Sequence, residues 1–338
     1  MRRLTGWLAL VAGVLAAALF LLRTPDVPLA DLKARYASAD SRFVEVSPGF
    51  VVHLRDQGPR DAPALFLVHG SNASLHTWEP WVERLKGRYR VVSLDLQGHG
   101  LTGPTPSGCY TGACMADTVE AVRSTLGIER LAIAGNSMGG GVALSYTLAH
   151  PDRVAALILV DSGGAPVRRD GPPPIGFRVA QMPVIRDIAA IITPRELIER
   201  TLDRSVSVKS VASPEAVDRY WELLRAPGNR EATMQRFGQP RTEFDAKRLG
   251  ALAGIPTLIL WGEEDALIPV SAARWYADAL PHARLVLYPG LGHIPQEETP
   301  DESAAEVARF LDQALMPPGP PSPGPTASRA PPPAQPAA

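Results

Sequence analysis

Residues 131–142 read LAIAGNSMGGGV. A short apolar run, 131–134, meets a Gly-rich turn, and proline-free, helix-compatible spacing follows as far as 149. The turn, Gly135-Asn136-Ser137-Met138-Gly139, matches G-x-S-x-G. In this motif a strand reverses into a helix so sharply that the central serine takes a strained backbone conformation. Glycine is needed two residues to either side, because a Cβ there would meet the neighbouring strand or helix. The strain lifts the hydroxyl away from the backbone, above the electropositive start of the helix. An ordinary Gly-rich turn between strand and helix gives the same pentapeptide. The rest of the chain has to decide between the two.

Apolar runs bounded by turn residues recur at 43–46, 50–54, 64–68, 90–94, 154–160, 256–261 and 284–288, and read as strands. Helical spacing recurs at 81–85, 115–126, 270–280 and 300–315. Unbroken apolar runs such as ALFLV at 64–68 suit strands buried on both faces. Repeated βα units imply an α/β fold, with a mainly parallel sheet covered on both sides and right-handed crossovers. The alternation stops over 163–250, where Pro172-Pro173-Pro174 and several amphipathic pieces predict an inserted helical cap. Its Ile185, Ile188, Ile191 and Ile192 are expected to pack within the cap. The core is then assembled from 42–162 and 251–316. Residues 317–338, rich in Pro, Ala, Gly and Ser, are expected to form a disordered tail, because they offer little to bury.

Ligands of such sheets bind at the carboxyl ends of the strands. A serine hydroxyl is a poor nucleophile unless a base takes its proton and an acid orients the base. Enzymes with this elbow place the three in the order Ser, acid, His. Here Ser137 is followed by Asp265, in a loop after 256–261, and by His293, in a loop after 284–288. Glu264 and Asp161 compete for the acid's role, whereas His69, His99 and His150 stand in the wrong order. Acyl transfer also needs donors aimed at a developing oxyanion. The expected pair is the N–H of Met138 and that of Ser71, with Asn72 second to Ser71. His69 is expected to hold that loop. Asn72 and Trp78 read as substrate contacts, and Trp78 reads equally as core.

A net charge of -1 gives no basic surface for nucleic acid. No H-E-x-x-H, zinc-type Cys/His spacing, phosphate loop or dinucleotide fingerprint occurs, so no metal or cofactor is expected. The two cysteines, Cys109 and Cys114, form either a small disulfide loop or two thiols, which spacing leaves open. Residues 4–22 are apolar and uncharged, and follow Arg2 and Arg3. As a helix they would span about 28 Å. They predict a single-pass anchor within 1–23, with a cytoplasmic amino terminus, a linker over 24–41 and the remainder outside. A cleaved signal peptide and secretion is the alternative.

The stretches LFLVHGSNASLHTW, VVSLDLQGHGLTGP, LAIAGNSMGGGVAL, LILVDS, PTLILWGEEDALIP and YPGLGHIPQEE together carry a resemblance. Over about residues 42–315 the chain resembles the α/β-hydrolase superfamily. The resemblance implies an eight-stranded, mostly parallel sheet, a cap over the active site, and a triad of Ser137, Asp265 and His293. A central serine separates the chain from the haloalkane dehalogenase and epoxide hydrolase branches, which use a carboxylate nucleophile. GNSMGG resembles hydrolases that cleave C–C bonds in ring-fission products. Those usually have a Gly-Pro-Gly-like loop and a Trp after the His, where this chain has Ser71-Asn72-Ala73 and Ile294. The expectation is a membrane-anchored serine hydrolase of small-molecule carboxylic esters. A C–C hydrolase and a non-catalytic ligand-binding protein on the same fold are the alternatives.

Overall fold

Eight strands run through the chain: β1 (Ser41–Ser47), β2 (Phe50–Gln57), β3 (Ala64–Val68), β4 (Arg90–Leu94), β5 (Leu131–Asn136), β6 (Val154–Val160), β7 (Thr257–Gly262) and β8 (Arg284–Tyr288). They form one sheet in the order β1-β2-β4-β3-β5-β6-β7-β8. β2 pairs antiparallel with β1 and with β4, and every other neighbouring pair is parallel. The computed structural model describes residues 19–167 and 181–315, with Val179 and scattered positions between 7 and 17. Among these the α-helices are α1 (Leu29–Tyr36), α2 (Glu79–Leu85), α3 (Gly112–Thr125), α4 (Met138–Ala149), α5 (Pro183–Ile191), α6 (Arg195–Ser205), α7 (Pro214–Leu224), α8 (Asn229–Gly238), α9 (Ala246–Leu249), α10 (Val270–Ala279), α11 (Pro295–Glu298) and α12 (Pro300–Leu315).

The period of two along each strand divides the core into two layers. Phe66, Val68, Ile133, Leu157, Leu159 and Ile259 face α3, α4 and α10. Leu65, Leu67, Ala132, Ala134, Ile158 and Leu260 face α2 and α12, where Trp78 and Trp81 fill the space. Each fully buried aliphatic side chain contributes about 1.5–3 kcal/mol, so the sheet is held from both sides. This two-sided burial is why the strands read as unbroken apolar runs.

The two layers also locate a crevice. β3 and β5 are neighbours, but β3 leads towards α2 on one face and β5 turns directly into α4 on the other. Such a switch point opens a gap at the carboxyl ends of the two strands. Ser71 follows one strand and Ser137 follows the other.

Helices α5 to α9 all lie between β6 and β7. The cap isoleucines depart from the sequence expectation. Ile185, Ile188 and Ile191 remain 37–47% exposed, because α5 is short and turns only part of its apolar surface to α8. The spacing of Cys109 and Cys114 left their state open; they are bonded to each other, with Cα atoms 6.1 Å apart.

The single-pass anchor is corrected. Among the described residues no helix is long and apolar enough to cross a membrane. Within the 4–22 run residues 19–22 are described continuously, as helix. The rest of that run lies largely outside the described residues, as does the tail from 316 onward.

Candidate active site

Ser137 stands at φ 56° and ψ −119°, in the left-handed half of backbone space that non-glycine residues avoid. Its surroundings show what imposes this. Ser137 N donates to Val160 O on β6 (3.0 Å), and Gly163 N donates to Ser137 O (2.8 Å). A Cβ on Gly139 would overlap Val68 O, and one on Gly135 would overlap Gly139 O. Strand, turn and helix are therefore in backbone contact, and the serine absorbs the tight reversal. Met138 is the first residue of α4, so its N–H belongs to the set with no partner inside the helix.

His293 and Asp265 meet beside this turn. His293 Nδ1 lies 2.7 Å from Asp265 Oδ2, and both residues are buried. Asp265 Oδ1 accepts from Leu267 N (2.6 Å) and Ile268 N (3.0 Å), which fixes the carboxylate. With Nδ1 donating to a carboxylate, Nε2 is the nitrogen left to act as a base. Glu264 is directed elsewhere, accepting from Ser207 Oγ (3.2 Å).

Two side chains that sequence reasoning missed hold this loop. Asn136 Nδ2 donates to His293 O (3.0 Å) and to Val160 O (3.2 Å), tying the elbow to the histidine. The Glu298 carboxylate accepts from Gly292 N, Ile294 N, Ser207 N and Val208 N. It thereby joins the histidine loop to the end of α6, whose Ser205 O accepts from His293 N (2.8 Å). Their only sequence signal is position: Asn136 precedes the serine, and Glu298 lies five residues beyond the histidine.

The loop after β3 is organised by a buried cluster. Asp95, fully buried, accepts from Leu75 N (2.8 Å), Leu101 N (2.9 Å) and His53 Nδ1 (2.7 Å). Burial opposes its ionisation, but the hydrogen bond and charge of His53 hold it well below the usual carboxylate range. His69 spans the same region, with Nδ1 to Gly70 O (2.7 Å) and Nε2 accepting from Leu96 N (3.0 Å). Burial lowers its pKa and keeps it neutral, in keeping with a holding role. Gly70 touches the elbow, since a Cβ there would lie 3.1 Å from Ser137 Cβ. Ser71 and Asn72 come next, Asn72 at φ 58°. Their side chains accept from Arg236 on α8. Trp78 is fully buried, its ring 5.1 Å from that of Trp81, so the structure places it in the core layer and not against a substrate.

Asp161, weighed as a competing acid, does reach the site. It ends β6 at φ 43°. Its Oδ1 accepts from Gly262 N (3.0 Å), and its Oδ2 is buried without a partner. Single ligand-type atoms of Asp161, Asp265 and His293 lie within 4.8 Å of one another. With His293 Nδ1 committed to Asp265, the group is arranged for proton chemistry. Burial, then the neighbouring Asp265 carboxylate, pushes Asp161 well above the usual carboxylate range. The folded state thus holds this proton more tightly than the unfolded chain. Its contribution to stability is present below about pH 3.9 and is lost as pH rises towards the raised value. Asp161→Asn keeps the acceptor for Gly262 and cannot ionise. Urea unfolding at pH 5 and pH 8 is expected to show the variant gaining on the wild type at the higher pH. A difference constant across that range would refute a proton on Asp161.

A sequence model of the alpha/beta hydrolase fold matches residues 63–300. This chain is a member of the alpha/beta hydrolase family. The hydrolase is 28% identical to pimeloyl-[acyl-carrier protein] methyl ester esterase of Nitrosomonas europaea, over 74% of this chain and 96% of that one. It is 26% identical to 2-hydroxymuconate semialdehyde hydrolase of Pseudomonas sp. strain CF600, over 80% and 93%. The crystal structure of a membrane phospholipase A superposes with a TM-score of 0.71 at 26% identity, covering 93% of this chain and 99% of that one.

Proposed function

We propose that the hydrolase cleaves carboxylic esters through Ser137. The observation that carries this reading is the forced elbow at Ser137, set at the switch point beside the buried His293–Asp265 pair. His293 Nε2 takes the proton as Ser137 Oγ attacks the ester carbonyl. The N–H groups of Met138 and Ser71 receive the oxyanion. The tetrahedral adduct collapses, the C–O bond breaks, and the alcohol leaves with the proton held by His293. Water, deprotonated by His293, then attacks the acyl-enzyme and releases the acid, restoring Ser137. Asp265 orients the imidazole and stabilises its cationic form. The methyl ester esterase and the phospholipase A among its relatives support an ester over other acyl substrates.

A fluorophosphonate probe is expected to label the wild type at a single serine and to leave Ser137→Ala unlabelled. Persistent full labelling of that variant would refute the mechanism. The similarity to 2-hydroxymuconate semialdehyde hydrolase favours a second reading, C–C bond hydrolysis of vinylogous diketones by the same triad. Rates on aryl esters against such diketones separate the two.

A further inference from the structure

Arg236 is the unusual cation of this molecule. It lies on α8, and its Nη2 donates to Ser71 Oγ (2.7 Å) and Asn72 Oδ1 (3.0 Å). Both acceptors are neutral. Its Nε is buried with no hydrogen-bond partner. The buried arginines are neutralised: Arg55 by Glu79, Arg123 by Glu120 and Arg230 by Asp26, whereas Arg236 is half-buried. Among the described residues no carboxylate forms an ion pair with Arg236, and the charge nearest to it in effect is another cation, Arg241. Burial, then that neighbour, brings its pKa down to about 9, so it still carries its charge at neutral pH. The two nearby histidines feel it as well; Arg236 helps to hold both His69 and His99 neutral.

A guanidinium partly withdrawn from water without a counterion is costly, and proteins normally pair it. Its location shows where a partner would come from. Ser71 is the residue after Gly70, and Gly70 lies against Ser137. Arg236 thus bonds the loop residue next to the one that borders the reaction centre, so an anion held by it would sit against the same loop. A guanidinium is the side chain best matched to carboxylate or phosphate oxygens, through two parallel N–H donors.

We propose that Arg236 is an anion-recognition residue of the substrate site, selecting esters that carry a carboxylate or phosphate close to the scissile carbonyl. The proposal rests on the assignment of Ser137 as nucleophile, so its first test is independent of turnover. Succinate and glycerol 3-phosphate, neither of them a carboxylic ester, serve as the carboxylate and phosphate probes. At least one is expected to raise the melting temperature of wild type, and which one does so identifies the anion. Arg236→Gln, which keeps donors for Ser71 and Asn72, is expected to abolish that shift, and Arg236→Lys to restore part of it. No shift with either probe, or a shift retained in Arg236→Gln, overturns the proposal.

The second test is kinetic. Wild type is expected to favour p-nitrophenyl hemisuccinate over p-nitrophenyl butyrate, or an acylglycerol 3-phosphate over the matching acylglycerol, by at least tenfold in kcat/KM. In Arg236→Gln that ratio is expected to collapse towards one, mainly through KM. A residue that merely pins the loop would lower both rates together and leave the ratio unchanged, which also overturns the proposal. Fluorophosphonate labelling of the same preparations keeps the two readings apart: loss of labelling in wild type defeats the nucleophile, whereas an unchanged ratio in labelled enzyme defeats Arg236.

Discussion

His293→Ala is expected to lower ester turnover by about six orders of magnitude, the loss typical of removing the base from a serine triad. The reason for expecting a purely chemical loss lies in how the loop is held. Besides its side-chain bond to Asp265, residue 293 is held through its main chain: Asn136 Nδ2 bonds its carbonyl oxygen, and Ser205 O accepts its N–H. Glu298 holds the residues on either side through their backbone N–H groups. Alanine keeps all of these main-chain bonds. Unfolding measurements should therefore place the variant close to wild type while turnover vanishes. Asp265→Asn is expected to cost about 10⁴-fold by a different route. Asparagine presents a donor to Nδ1 as readily as an acceptor, which favours the wrong tautomer of the imidazole. His293→Ala activity within tenfold of wild type would remove the histidine from the mechanism.

The parts of this site that were readable in the sequence are those written in local pattern. Strands buried on two faces leave unbroken apolar runs, so β3, β4 and β6 stand at the residues expected, as does the edge strand β8. The elbow is legible because a tight reversal demands glycine at 135 and 139, and the contacts there confirm the demand. Chain order points to His293 as the base and to Asp265 as the acid, with Glu264 and Asp161 as competitors. What was not readable depends on contacts between residues far apart in the chain. Whether Asp265 or its neighbour Glu264 would meet the histidine turns on the conformation of one loop. Asn136 reaches a carbonyl 157 positions away, and Arg236 reaches Ser71 across 165. No periodicity encodes such pairs. Trp78 shows the opposite difficulty: an aromatic beside a candidate oxyanion loop has the same sequence signature whether it faces the ligand or the core.

Asp161 shows why residue type alone does not assign a role. Two aspartates follow neighbouring strands, β6 and β7, on the same sheet edge, and either has the chemistry to orient a histidine. The backbone separates them. Asp265 is met by three donors, two of them main-chain N–H groups and one the imidazole. Asp161 is met by one, with its second oxygen buried and bare. A carboxylate with several donors is stabilised in its charged form, and one with a single donor in a dry site is not. Burial and the neighbouring Asp265 carboxylate raise the pKa of Asp161, and Asp265 is the one of the two whose carboxylate meets the imidazole.

Two glycines two positions apart in the elbow helix are expected to respond to alanine with opposite signs. Gly139→Ala places a methyl group on the Val68 carbonyl oxygen and within 2.5 Å of that of His69. Both atoms belong to the main chain at the end of β3, a central strand paired on both sides, so neither can withdraw without breaking the sheet. The whole of α4 would have to rise from β3, carrying Met138 and its N–H with it. Destabilisation of about 3 kcal/mol or more is expected. Fluorophosphonate labelling should fall with it even in protein that remains folded, because the proposed oxyanion donor would have moved. At Gly141 an added Cβ finds its nearest neighbour, Gly163 O, at 3.4 Å, an ordinary contact. There alanine meets no obstacle and stiffens a helix, so Gly141→Ala is expected to be neutral or to stabilise by up to about 1 kcal/mol. Urea denaturation of both variants reads the contrast directly. Equal effects at the two positions would mean that general helix preferences govern this turn, and that the close approach of α4 to β3 is not what holds Ser137 in its strained conformation.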